Sequence, residues 1–164
     1  LVRWVRKHES SGITAMMRAL THLGDGSSWT LFALLIASME RSWTGMGMSL
    51  GYAALAGSLV AKGIKHQIRR LRPHRHLLDL VPLVKIPDPW SFPSGHTSAA
   101  FGVFGLLLMW GSPFAYLALS VSSLIGLSRI YLRAHFPTDV IVGAVLGFFT
   151  GWLVYEGLTY LYVS

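Results

Sequence analysis

No cysteine occurs among the 164 residues, which excludes disulfides, cysteine-ligated zinc and thiol catalysis. Charge is scarce as well. Asp, Glu, Lys and Arg make up 13% of the chain, against about 25% in a soluble domain, so lipid suits most of this surface better than water. Acids are the rarer sign: Glu9, Asp25, Glu40, Asp79, Asp88, Asp139 and Glu156 are all there are. Only Asp139 lies in a motif that also holds a histidine. The carboxylate clusters that hold two catalytic metal ions are therefore not expected, and neither is a cofactor. What the chain does have is 52% hydrophobic residues and 14 Lys and Arg, for a formal charge of +7. That excess suits an anionic partner, a headgroup or a phosphate ester. Nucleic acid does not fit, because the bases are not interleaved with aromatics on a polar face.

The length is that of one domain, residues 1–164. No signal peptide with a cleavage site is evident. Over residues 1–25, Arg3, Arg6, Lys7 and Arg18 alternate with Val2, Trp4, Val5, Ile13, Met16, Met17 and Leu20, predicting a basic amphipathic helix at the headgroup level. Residues 24–28 read as a turn. Apolar stretches follow at 29–39, 42–61, 97–127 and from 140 to the C-terminus. Gly111-Ser112-Pro113 divides the third into two helices. The expected architecture is all-α: an integral membrane bundle over residues 26–164 with about five transmembrane helices, the stretch around 27–41 being the shortest. Gly143, Gly147 and Gly151 recur every four residues and predict a face for close helix approach, within the chain or in a homodimer. The only long polar connection, residues 69–92, is rich in Pro, His and Arg and joins two of the segments that carry chemistry.

Those segments are three. Lys65 and Arg72-Pro73 bring cations to a helix end, where Arg offers a planar fork to two phosphate oxygens and Lys a point charge. Arg69, Arg70, Arg75 and Arg133, taken singly, read as ordinary bases at a membrane edge. Pro93-Ser94-Gly95-His96 opens an apolar helix. Ser94 as N-cap leaves first-turn N–H groups open, Gly95 allows close approach, and His96 can donate a proton there. Ser128-Arg129, His135 and Asp139 form the third. Pro137 suits the first helical turn, and Asp139 can accept from one imidazole nitrogen of His135, freeing the other for attack. Each piece alone has a plain structural explanation; the three in order do not.

Together they resemble the signature of the type 2 phosphatidic acid phosphatase superfamily: Lys, six residues, Arg-Pro; Pro-Ser-Gly-His; Ser-Arg, five residues, His, three residues, Asp. Every signature position is matched, over residues 65–139. The resemblance implies a helical membrane enzyme with its site at helix ends and no metal. It implies His135 as nucleophile forming a phosphohistidine, Asp139 as its orienter and His96 as acid for the leaving group. Lys65, Arg72, Ser94, Gly95 and Arg129 would bind phosphate. Many bacterial members have six spans, and the expected five here would leave the first without a counterpart.

Five spans would put residues 1–27 and all three motifs on one face, together with nearly all Lys and Arg. The excess of positive charge on cytoplasmic segments then predicts a site facing the cytoplasm, in a bacterial inner membrane. The substrate class is a membrane lipid phosphate: a polyprenyl phosphate or diphosphate, phosphatidic acid, or phosphatidylglycerol phosphate. Two rivals stand beside this. The family also resembles the vanadate-dependent haloperoxidases, which are soluble, unlike this composition. A non-hydrolytic lipid transporter or scaffold would keep a phosphate-binding site but has no need of both histidines and Asp139.

Overall fold

The computed structural model describes residues 9–40, 45–76, 81–86 and 88–163. Among the described residues are seven helices: α1 (Ser11–Leu23), α2 (Gly26–Glu40), α3 (Met46–Ile68), the short α4 (Pro73–His76), α5 (Gly95–Met109), α6 (Ala115–Tyr131) and α7 (Pro137–Val163). No strand occurs among the described residues; a single bridge pairs Leu71 with Trp90 across the polar connection.

The expected breaks fall where local chemistry dictates. α5 and α6 separate at Gly111, whose φ of +65° is a left-handed conformation that glycine adopts without cost. Pro137 opens α7, where its missing N–H removes no helical bond. The turn expected over residues 24–28 is shorter. α2 already starts at Gly26, with Trp29 N–H donating to Asp25 O at 3.2 Å, so only Gly24 and Asp25 remain between α1 and α2. α1 is amphipathic as its sequence predicts, capped by Ser10 Oγ accepting from Ile13 N–H at 3.2 Å. Residues 1–8 of the expected interfacial helix lie outside the described residues.

α5 is the hub. It packs against α3, α6 and α7, and small residues let the backbones approach. A Cβ added at Gly57 would fall 2.5 Å from Ser98 O, and one at Gly102 would fall 2.6 Å from Ala53 O. Ser98 Oγ donates to Gly57 O and Ser122 Oγ to Ala100 O, each at 2.9 Å, so the buried hydroxyls satisfy carbonyls on the neighbouring helix. Gly143, Gly147 and Gly151 of α7 lie against Ser94, Ser98 and Gly102 of α5. The glycine face is thus spent inside the chain and offers nothing to the homodimer that its spacing also allowed. Outward, the helices present bare apolar side chains: Leu31, Met39, Tyr116 and Leu161 are each more than 70% exposed. Among the described residues one helix, Pro137–Leu161 within α7, suffices by length and composition to cross a membrane; α2, α5 and α6 are apolar but shorter.

Candidate active site

α3 ends, α5 begins, α6 ends and α7 begins at one end of the bundle, and the three motifs meet there. Arg72, the residue before α4, is 2% exposed and its fork is fully engaged. Nε donates to Asp88 O at 2.8 Å and Nη2 to Asp88 Oδ2 at 3.0 Å. Nη1 donates to Ala134 O at 2.8 Å and lies 3.2 Å from His135 Nε2. Lys65 Nζ reaches the same Asp88 Oδ2 at 3.3 Å. One carboxylate oxygen therefore joins Lys65 and Arg72 and aims both at one point, as an anion does. Burial alone would raise the Asp88 carboxyl, but the Arg72 and Lys65 charges outweigh it and hold it below the usual range.

His135 sits in the α6–α7 turn, 1% exposed. Its N–H and that of Ala134 both donate to Arg129 O, at 3.2 and 3.1 Å, which fixes the turn. Arginine has no acceptor, so the contact from Arg72 Nη1 requires a lone pair on His135 Nε2. The ring proton is then on Nδ1, facing Asp139 Oδ2 at 3.6 Å. That separation is an ion-pair distance and longer than a hydrogen bond. Burial, then the charges of Arg129, Arg72 and Lys65, push His135 well below its ordinary value, so the ring is neutral at pH 7.

Asp139 is fully buried and held on both oxygens: Oδ2 accepts Phe136 N–H and Oδ1 accepts Arg70 Nη1, each at 2.8 Å. Arg70 also donates to Thr138 Oγ1 at 2.7 Å, and its guanidinium stands 4.3 Å from the centre of the Phe136 ring. Arg70 is thus no idle edge base. Nor is Arg133, which is buried, donates to Val81 O and pairs with Glu9.

Ser94 occupies the cap position of α5, but its hydroxyl turns to Thr97 Oγ1 at 2.9 Å and caps no N–H. Ser94 N–H donates to Asp139 O at 3.0 Å, stitching the start of α5 to the start of α7. The N–H groups of Gly95, His96 and Thr97 donate to no described residue. A Cβ at Gly95 would meet nothing within 4 Å, so open space lies before that turn, in the positive field of a helix N-terminus. Arg129 is 4% exposed and donates Nη1 to Thr21 Oγ1 at 2.5 Å, while its buried Nε has no partner among the described residues. His96 Nε2 lies 2.7 Å from Asp25 Oδ1.

The end of the bundle thus gathers Lys65, Arg72, Ser94, Gly95, His96, Arg129, His135 and Asp139. It combines three cations, a free helix N-terminus and one neutral imidazole whose Nε2 lone pair faces the Arg72 guanidinium. That arrangement can hold a tetrahedral dianion and attack its centre. Among the described residues no three His, Asp or Glu side chains converge as a metal site would require. Sequence reasoning missed Asp25, Asp88 and Thr21, which lie outside the motifs and come in through tertiary folding alone. It also read Arg70 as a bystander, although its place two residues before Arg72 put it on the same short segment.

Residues 46–162 match the PAP2 superfamily. Phosphatidylglycerophosphatase B of Bacillus subtilis is 32% identical over 157 residues, covering 87% of this chain and 73% of the relative. Decaprenylphosphoryl-5-phosphoribose phosphatase of Mycobacterium tuberculosis is 32% identical over 148 residues, covering 87% and 79%. Among solved structures, the transmembrane PAP2 type phosphatidylglycerolphosphate phosphatase from Bacillus subtilis superposes with a TM-score of 0.79 at 26% identity, covering 97% of this chain and 82% of that one.

Proposed function

This chain belongs to the PAP2 superfamily, and from that premise we propose that it removes phosphate from a membrane lipid through a phosphohistidine on His135, with no metal ion. It is a phosphatase, as the relatives it matches are. The observation that carries the mechanism is the His135 ring: buried, neutral, and with the Nε2 lone pair turned toward the cations. Lys65, Arg72 and Arg129 neutralise the equatorial oxygens, and the Gly95 and His96 N–H groups add donors. Asp88 holds Lys65 and Arg72 in place until the phosphate displaces it. Nε2 attacks phosphorus in line, the P–O bond to the lipid breaks, and His96 protonates the leaving oxygen. The imidazolium formed on His135 keeps its Nδ1 proton toward Asp139, where the 3.6 Å gap closes as charge develops. Water then attacks the phosphohistidine with His96 as base.

Lipid as the carrier of the phosphate is supported by an apolar groove of about 720 Å³ between α2, α3, α5 and α6. It starts at Leu23 and Ser28, beside Asp25, and runs to Met46 and Phe114 at the far end of the bundle. A phosphate at the helix ends and a hydrocarbon tail in this groove fit one molecule. The two named relatives act, by their names, on different headgroups that both carry long lipid chains. The candidates here are a polyprenyl phosphate or diphosphate, phosphatidic acid and phosphatidylglycerol phosphate. In this reading α2, α3, α5, α6 and α7 span the bilayer, α1 lies at its surface, and the site faces the cytoplasm.

The test is phosphate release by purified protein in excess EDTA on those four lipids, with His135→Ala as control. Release from one of them, lost in the variant, is the expected result. Activity of the variant above a few per cent of wild type would remove His135 as nucleophile. Lipid flipping by His135→Ala without hydrolysis by the wild type would point to the transporter instead.

A further inference from the structure

The matched family region begins at residue 46, yet two of the site's charged groups are held from upstream of it. Thr21 Oγ1, 1% exposed as a residue, accepts from Arg129 Nη1. Asp25 Oδ1 lies 2.7 Å from His96 Nε2, and its other oxygen lies 2.8 Å from His22 Nδ1. The chain is pressed close here. A Cβ added at Gly24 would fall 2.8 Å from Ile125 Cγ2 and 3.2 Å from two atoms of the His96 side chain. The α1–α2 turn therefore lies against the His96 side chain, and the glycine is what lets it.

We infer that Asp25 is the positioning carboxylate of the leaving-group acid, doing for His96 what a carboxylate does for a nucleophile's histidine. This rests on the reading of His96 as that acid. Asp25 fixes the ring by accepting from Nε2–H. The other nitrogen, Nδ1, hydrogen-bonds no described residue and is the one left to carry the proton that is transferred. The contact itself shows what the carboxylate does: at hydrogen-bond distance from Nε2 it orients the ring and favours the imidazolium over the neutral form. Asp25 is itself secured as an anion: burial would raise it, but the hydrogen bonds from His22 and His96 prevail and lower it. In the first half-reaction the lipid P–O bond breaks and the leaving oxygen takes the His96 proton. In the second, water gives its proton to His96 and its oxygen to phosphorus as the bond from phosphorus to His135 Nε2 breaks and returns its electron pair to that nitrogen. Asp25 stays ionised throughout.

The readout is the dependence on the leaving group. An alkyl phosphate needs its departing oxygen protonated, whereas an aryl phosphate with the same tail leaves with little help. Asp25→Asn should cost kcat/KM, which ends at phosphohistidine formation, roughly tenfold or more on the alkyl ester beyond its cost on the aryl ester, out of the roughly 10²–10⁴-fold that general acid catalysis supplies. His96→Ala should show the same selectivity more strongly, and the double variant should be no slower than His96→Ala. Asp25→Glu, which keeps the charge, should regain part of the loss; should the Asn variant not accumulate, the Glu variant carries the same comparison. Equal losses on both esters, or additive losses in the double variant, would overturn the inference while leaving His96 as acid. A His96→Ala variant that loses equally on both esters would overturn the acid assignment and the inference with it.

Discussion

Gly143→Ala tests whether the site is built by helix apposition. Gly143 lies one turn beyond Asp139 on α7, facing Ser94 at the start of α5. A Cβ there would stand 2.7 Å from Ser94 O, with Ser94 Cβ and N both at 3.4 Å. Ordinary contact begins near 3.4 Å, so α5 must retreat by about 0.7 Å or α7 must rotate. The obstacle is a backbone carbonyl, which no rotamer change relieves. Overpacking of this kind costs about 1–3 kcal/mol, or about 2–12 °C in melting temperature for a chain of this size. The movement also stretches the Ser94 N–H to Asp139 O bond of 3.0 Å, which sets the Gly95 and His96 donors relative to His135. A misplacement near 1 Å costs about 10²-fold in rate, so turnover should fall further than stability implies.

Gly157→Ala is the control. It changes the same helix by the same methyl, but nothing lies within 4 Å of the added Cβ. Its melting temperature should equal or exceed wild type, since alanine favours the helix over glycine by about 1 kcal/mol. Both variants would be melted in detergent and assayed for phosphate release. A Gly143→Ala protein with wild-type melting and turnover would refute the packing argument. A Gly157→Ala protein as damaged as Gly143→Ala would show that the loss has another cause.

Asp139→Asn should slow turnover severely, though less than His135→Ala, and should lower stability because Arg70 and Phe136 N–H lose an anionic acceptor; a wild-type rate would leave Asp139 a helix-end role only. Vanadate should inhibit by imitating five-coordinate phosphorus, and Arg129→Met should weaken that inhibition; unchanged inhibition would take Arg129 out of the phosphate site. The acid limb of kcat/KM should lie below pH 6.5, because His135 is depressed by burial and by three cations. As pH falls below 6.5 the unfolded chain takes up a proton that the folded chain refuses, so stability falls with it; an acid limb above 6.5 would contradict a buried neutral nucleophile. A single cysteine at exposed Ser10 is unique in this chain and should resist an impermeant maleimide in intact cells, whereas labelling would place the site on the outer face.

Helix positions were legible because they rest on local chemistry. The break at Gly111-Ser112-Pro113 and the start at Pro137 follow from backbone constraints that two or three residues impose. The glycine face over 143–151 was legible as a face, but its partner was not. Spacing says how closely something approaches, and only the fold shows that α5 is what does so. The turn over residues 24–28 was read too long for a related reason. Gly26-Ser27-Ser28 has turn composition, but Ser28 Oγ donates to His22 O at 2.6 Å and Trp29 N–H to Asp25 O, so tertiary and capping bonds carry the helix through it.

The motif residues were legible because a phosphate demands cations and N–H donors at helix ends whatever the fold. The groups that bias those residues were not, since nothing in their local sequence marks them. Asp25 sits in a Gly-Asp-Gly turn and Asp88 between two prolines, each a setting in which aspartate is ordinary. Yet in a chain with seven acids and a core of cations, a carboxylate brought to the site does more than fill a turn. Three of the four acids placed there have distinct partners: Asp139 faces the nucleophile, Asp25 the acid, and Asp88 the phosphate cations. The fourth, Glu9, pairs with Arg133 beside the turn that carries His135. Scarcity of acid is therefore informative in itself: where cations must bind phosphate, every further carboxylate would compete with the substrate as Asp88 does, so few are brought to the site and each has a definite partner there.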